Sequence, residues 1–194
     1  ISRQARAATR ARPYADHLGG KSSMTDESAL FLFVTGAGVC GCAPDLIRAF
    51  VGKGYTVYSV LTPNVAQVTA PAPLMDVPGN HWIHAYQQTP LERYPFGTLL
   101  VAPCTFNTFN KIALGLADNL ATAMIADGLG AGNRVIIAPA MNRGLWSHPQ
   151  TKASCERLQS WGCEIVPPRI VDGQVVMASV GEIVAAVGSS KVSE

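Results

Sequence analysis

The chain has 194 residues, of which 48% are hydrophobic and only 14% charged; the length suits about one ordinary domain. That balance excludes disorder for the body of the chain and favours a large buried subunit interface. The formal net charge is +2, but residues 1–23 hold five Lys or Arg and one Asp, leaving ten basic against twelve acidic residues elsewhere, so a dedicated nucleic-acid surface is excluded.

Residues 1–28 are polar and Arg-rich without sustained periodicity, which predicts a flexible tail, with Met24 a candidate natural start. Residues 29–190 read as one folded domain. Ala29–Thr35 is a short apolar run ending in glycines, the pattern of a buried parallel strand. A helix follows, with Pro44 in its first turn, Leu46, Ile47, Phe50 and Val51 on one stripe and Gly54 as its cap. Tyr55–Leu61 is the second strand. The Pro-rich stretch 68–96 holds a short strand around His81–Tyr86. Gly97–Pro103 is a further buried strand, Thr105–Ala126 one apolar helix or two, and Arg134–Ala138 another strand. A helix over 150–161 carries Cys155, Leu158 and Trp161 on one face and closes at Gly162. Cys163–Val166 is the last strand and Gly181–Val187 the last helix. Such alternation implies a parallel sheet covered on both faces, a single-domain Rossmann-like or flavodoxin-like three-layer α/β fold. Ligands of such sheets bind at the carboxyl ends of the strands.

Five cysteines, Cys40, Cys42, Cys104, Cys155 and Cys163, are odd in number and scattered in apolar runs. They read as packed thiols of a reducing compartment rather than a disulfide framework. The histidines His17, His81, His84 and His148 show no ligand spacing beside Cys40-x-Cys42, so no metal is expected. The N-terminal stretch lacks a signal-peptide core, and no run reaches the roughly 18 apolar residues of a membrane span. A soluble, cytoplasmic protein is the expectation.

Gly36-Ala37-Gly38-Val39-Cys40-Gly41 ends the first strand and precedes a helix, where glycines let backbone N–H groups approach a phosphate. No Asp or Glu stands between Asp45 and Asp76, so the carboxylate that would hold the ribose of NAD is missing. A mononucleotide phosphate site or a plain turn remains. Three further strand ends carry hydroxyl or amide residues: Thr62-Pro63-Asn64, Pro103 to Thr108, and Pro139-Ala140-Met141-Asn142. Each alone reads equally as helix capping, Thr105 above all. Together they converge on one crevice.

Three blocks, VTGAGVCGCAPDLIRAFVGKGYTVYSVLTPNVAQV, VAPCTFNTFNKIALGLADNL and APAMNRGLWSHPQT, resemble in order those of the homo-oligomeric flavin-containing cysteine decarboxylases. That family includes phosphopantothenoylcysteine decarboxylase and the lantibiotic-type peptidyl-cysteine decarboxylases. The family pattern P-A-S-A-N-T followed by K-I-A-x-G-x-x-D-N falls on Pro103–Thr108, then Lys111–Ala113, Gly115, Asp118 and Asn119. Its P-x-M-N-x-x-M-W falls on Pro139–Asn142 with Leu145 and Trp146, so the second methionine is Leu.

The resemblance implies FMN as cofactor, with contacts at Gly36, Ala37, Gly38, Thr62, Asn64, Thr105, Phe106, Asn107, Thr108 and Ala140, and Asn142 as the amide holding the substrate carboxylate. It also implies a homotrimer or a multiple of trimers, and the apolar stretch from Ile112 to Ile125 is the expected contributor to that interface. The family's histidine position falls on Thr89; His84 is either a shifted base or an ordinary strand-end histidine. Pro167–Ser179 keeps Met177-Ala178 but lacks the cysteine that coenzyme A pathway members carry in a longer loop. The expected function is oxidative decarboxylation of the C-terminal cysteine of a ribosomally made peptide to an enethiol. The alternatives are phosphopantothenoylcysteine decarboxylase and a flavin-binding partner module without decarboxylase activity.

Overall fold

The computed structural model describes residues 28–86, 88 and 93–189. The expected tail, Ser28 aside, and Thr89 lie outside the described residues. In chain order the elements are β1 (Ala29–Val34), α1 (Ala43–Val51), β2 (Thr56–Leu61), α2 (Pro71–Met75), β3 (Asn80–Ile83) and β4 (Thr98–Cys104). They continue with α3 (Phe106–Leu114), α4 (Leu120–Gly130), β5 (Val135–Pro139), α5 (Arg143–Trp146), α6 (Pro149–Ser160) and β6 (Glu164–Ile165). The chain closes with β7 (Arg169–Val171), β8 (Gln174–Val176) and α7 (Val180–Gly188).

The first six strands form one sheet in the order β3-β2-β1-β4-β5-β6, parallel throughout. This is the doubly wound order of the Rossmann type, and its direction of winding reverses between β1 and β4. The alternation of side chains along β1 explains why both faces are covered. Leu30, Leu32 and Val34 pack with Leu46, Ile47 and Phe50 of α1 and Ile183 and Val187 of α7, while Phe31 and Phe33 pack with Phe109 of α3, Ile125 of α4 and Leu158 of α6. Full burial of each such side chain contributes about 1.5–3 kcal/mol.

The 105–126 segment is two helices. Gly115, at φ 68°, ends α3 in the left-handed region, and Leu116 donates its N–H to the Lys111 carbonyl at 2.9 Å. Asn119 then caps α4, its side chain accepting from the Thr122 N–H while the Thr122 hydroxyl accepts from the Asn119 N–H. Within the stretch from Ile112 to Ile125 expected at a subunit interface, Ile112, Met124 and Ile125 are buried in the chain's own core. The core accounts for these three side chains, and the exposed large apolar side chains of the stretch are Leu114 and Leu116.

Two expectations change. Only Leu158 of the trio in α6 is buried, because the helix turns Thr151 and Ser154 inward as well, and Trp161 is 49% exposed. Ser154 Oγ donates to Asn110 Oδ1 at 2.7 Å, so a polar contact joins α6 to α3. α1 stops at Val51 and is capped by Gly52 rather than Gly54. The 167–179 stretch holds the antiparallel β7–β8 hairpin, turned by Asp172 and Gly173, both at positive φ.

Candidate functional site

Thr35, the residue after β1, is fully buried, and both its N–H (3.2 Å) and its hydroxyl (2.7 Å) donate to the Pro103 carbonyl. The same hydroxyl accepts the Thr105 N–H at 2.9 Å. The ends of β1 and β4 are thereby locked together where the winding reverses. Thr105 caps α3, its Oγ1 accepting the Thr108 N–H at 3.4 Å and donating to the Thr108 hydroxyl at 3.2 Å. The capping reading of Thr105 thus holds, and it leaves the N–H groups of Phe106 and Asn107 without an intrahelical partner.

Both residues line a cleft of about 450 Å³. Of the residues expected there, Gly36, Thr62, Asn64, Thr105, Phe106, Asn107, Thr108 and Ala140 line it. Gly36 must be glycine because a Cβ would stand 2.6 Å from the Asn64 carbonyl oxygen, so the first and second strand-end loops touch. Ala37 and Gly38 do not line the cleft: Ala37 is buried beneath the loop and Gly38 faces outward.

Asn142 stands just outside the lining, between Met141 and Leu145, which both belong to it. Its Oδ1 caps α5 by accepting the Leu145 N–H at 3.0 Å. That bond commits the oxygen and leaves the Nδ2 donors for another acceptor. His84 is exposed and lines a second cleft of about 260 Å³, with its ring 5.6 Å from that of Trp82. The two clefts adjoin, since Thr62, Pro63 and Asn119 line both.

The structure adds residues not singled out for the site above. Lys111 and Asp118 form an ion pair on the wall of the larger cleft at 2.5 Å. The Asp118 carboxylate also accepts from Asn119 Nδ2 at 3.0 Å and from the Thr122 hydroxyl at 3.4 Å. The hydrogen-bonded Lys111 ammonium holds the Asp118 carboxyl below the usual carboxylate range. His148 caps α6 through Nδ1, which accepts the Gln150 N–H at 3.0 Å, and its ring meets Phe106 edge-on at 5.4 Å. The signal for Lys111 and Asp118 was present in the K-I-A…D-N pattern. Thr35 carried the same strand-end hydroxyl as Thr62 and Thr105.

The cysteines play a packing part. Cys40, Cys104 and Cys163 are buried, and burial pushes the Cys104 thiol well up and the half-buried Cys42 thiol to about 11. Among the described residues, no group of three or more His, Cys, Asp or Glu is gathered for a metal, and no helix is long and apolar enough to cross a membrane.

A doubly wound parallel sheet with a cleft at its switch point, backed by a helix N-terminus and strand-end hydroxyls, defines a nucleotide-binding α/β protein. The chain belongs to the Flavoprotein family, whose model matches residues 19–191. It is 30% identical over 146 residues, 72% of this chain and 36% of the relative, to the coenzyme A biosynthesis bifunctional protein CoaBC of Thermococcus kodakarensis. The matched segment spans less than half the length of the curated relatives. Among solved structures, a mutant PPC decarboxylase complexed with pantothenoylaminoethenethiol superposes with a TM-score of 0.71 at 23% identity, covering 83% of this chain and 96% of that one. The peptidyl-cysteine decarboxylase EpiD superposes at 0.70 with 20% identity, covering 83% and 98%. At these identities the likeness is one of fold.

Proposed function

We propose that the protein binds FMN in the larger cleft and decarboxylates a C-terminal cysteine, with a peptide as substrate. The observation that carries the cofactor is the junction of β4 and α3. There the first turn of α3, with Phe106, Asn107 and Thr108, lines a cleft large enough for a mononucleotide. The donor set suits a phosphate, and Gly36, Thr62, Asn64 and Ala140 would hold the rest of the molecule. Bound FMN supplies the two-electron sink that a cysteine α-carboxylate lacks, so that CO₂ can leave.

The chain's own residues position and deprotonate. Asn142 Nδ2 donates to the substrate carboxylate, and the cap at Leu145 keeps the amide turned that way. A ring nitrogen of His84, across the Thr62–Asn119 seam, takes the thiol proton. The missing cysteine in 167–179 supports a reaction that stops at the oxidised enethiol. Several copies of the chain assemble as a trimer or a multiple of one.

The names of CoaBC and PPC decarboxylase favour a second reading, phosphopantothenoylcysteine decarboxylation. Mass spectrometry of the FMN-loaded protein with short peptides ending in cysteine separates the two. Loss of CO₂ and two hydrogens from the peptide is the expected result. Loss of CO₂ alone, from phosphopantothenoylcysteine only, would replace this reading with the second.

A further inference from the structure

Packing explains the fully buried cysteines, and it leaves the half-buried Cys42 and the exposed Gly41 before it without a role in the site described above. Cys40-Gly41-Cys42 is a single 3₁₀ turn between the Gly36–Gly38 loop and α1. The Cys40 N–H donates to the Ala37 carbonyl at 2.9 Å and the Cys42 N–H to the Val39 carbonyl at 3.0 Å. Cys42 is the N-cap of α1, yet its side chain caps nothing. Cys40 is 1% exposed, and both cysteines pack in the apolar cluster behind β1. Gly41 has no positive φ, and a Cβ there would meet nothing within 4 Å. Neither space nor strain demands a glycine in this turn as it stands.

We propose that Cys40 and Cys42 are a dithiol that closes to a disulfide, and that closure opens the turn and loosens the cofactor loop. In a turn of about three residues per revolution and about 2 Å rise per residue, Cα atoms two residues apart stand about 5 Å from each other, inside the roughly 4.4–6.8 Å that a disulfide spans. Their Cβ atoms point about 120° apart, so the sulfurs meet only when the backbone leaves the 3₁₀ conformation. A glycine between them supplies the backbone freedom that so small a ring requires. Ring and turn exclude each other, and the turn begins on the Ala37 carbonyl, one residue after Gly36 on the cleft wall. The oxidant is a small disulfide such as glutathione disulfide. The more exposed Cys42 thiolate attacks it and releases one glutathione, and the Cys40 thiolate then displaces the second from the Cys42 sulfur. Two protein thiols are thereby oxidised, one glutathione disulfide is reduced, and the two protons end on the glutathione thiols. Burial pushes the Cys42 thiol to about 11, so the pair closes slowly near neutrality.

The experiment exposes the full chain, with and without FMN, to glutathione disulfide, blocks the remaining thiols after denaturation and reads the peptide masses. A peptide spanning 40–42 should appear two hydrogens lighter and unblocked, about tenfold faster for each unit of pH above neutrality and more slowly with FMN bound. FMN affinity, read from flavin fluorescence, should fall about tenfold or more on oxidation and recover with dithiothreitol. Cys42→Ser should bind FMN as well as the parent, serine being a good N-cap, and should be indifferent to the oxidant. Gly41→Val, for which the turn has room, should keep FMN affinity and slow closure about tenfold or more. No 40–42 disulfide after prolonged oxidation in mild alkali, or an oxidised protein whose FMN affinity stays within about twofold of the reduced one, would overturn the proposal. The affinity arm rests on the FMN reading, whereas the disulfide does not. Should the reduced chain bind no FMN, the cofactor reading fails and the dithiol is judged by peptide mass together with hydrogen exchange over 38–45. Faster exchange in the oxidised chain upholds it, and unchanged exchange overturns it.

Discussion

The Thr35 hydroxyl accepts the Thr105 N–H at 2.9 Å while donating to the Pro103 carbonyl at 2.7 Å, so one buried side chain ties the first strand to the start of the helix that faces the cleft. Thr35→Val keeps the shape and removes both bonds, taking from the part-buried Thr105 N–H its acceptor. Its cost should be about 1–3 kcal/mol in urea unfolding. FMN affinity should fall with it, because the α3 N-terminus loses its anchor. Thr35→Ser should restore most of both, and a Thr35→Val variant with unchanged FMN affinity would detach this lock from the site.

Arg134 offers a second test. Its guanidinium holds Glu164 through two bonds of 2.8 and 3.1 Å and donates to the carbonyls of Ala186, Val187 and Ser189 at the end of α7. A lysine lacks the planar fork that makes these contacts together. Arg134→Lys should therefore lose about 1–3 kcal/mol in chemical denaturation. Hydrogen exchange should rise first over the last turn of α7.

Asn142 has two separable duties. Asn142→Asp retains an oxygen for the Leu145 N–H, so α5 and FMN binding should persist. Its lost Nδ2 donor and added charge against a substrate carboxylate should still abolish turnover. Asn142→Ala should lose the cap as well, about 1 kcal/mol. Turnover by the Asp variant near that of the parent would place the carboxylate site elsewhere.

Asp118 predicts a pH dependence. Because Lys111 lowers its folded value below the ordinary carboxylate range, the stabilisation is present at neutral pH and is lost as pH falls through that lowered value. The stability difference between the parent and Asp118→Asn should hence be constant near neutrality and shrink only in acid below the usual carboxylate range. A difference that shrinks between neutral and mildly acidic pH would assign the effect to another group.

Much of this was legible in the chain itself. The runs at Ala29–Thr35 and Gly97–Pro103 are apolar at every step because both faces of a central parallel strand are covered, and such runs are hard to mistake. The strand-end hydroxyls pointed to the cleft for the same topological reason. What was not legible depends on how loops bend in three dimensions. Ala37 and Gly38 belong to the glycine pattern, yet only Gly36 reaches the cleft, because the loop folds against Asn64 and then turns away. The β7–β8 hairpin has a recognisable Asp172-Gly173 turn, but its strands have three residues each and are largely exposed, so no alternation marks them. Thr35 bears a strand-end hydroxyl like Thr62 and Thr105, but that its hydroxyl serves the backbone of Pro103 and Thr105 is visible only in the fold.

The sheet places its shortest strands at its margins, four residues in β3 and two in β6, while the long apolar strands β1 and β4 occupy the middle. Unpaired N–H and C=O groups along a sheet margin are templates for other chains, and a margin of two residues presents few of them. A molecule this rich in strand-forming apolar sequence thus withholds that sequence from intermolecular pairing once folded. Its hazard is confined to the interval before β1 and β4 have found each other, so self-association of the refolding chain should depend on protein concentration far more than storage of the folded one.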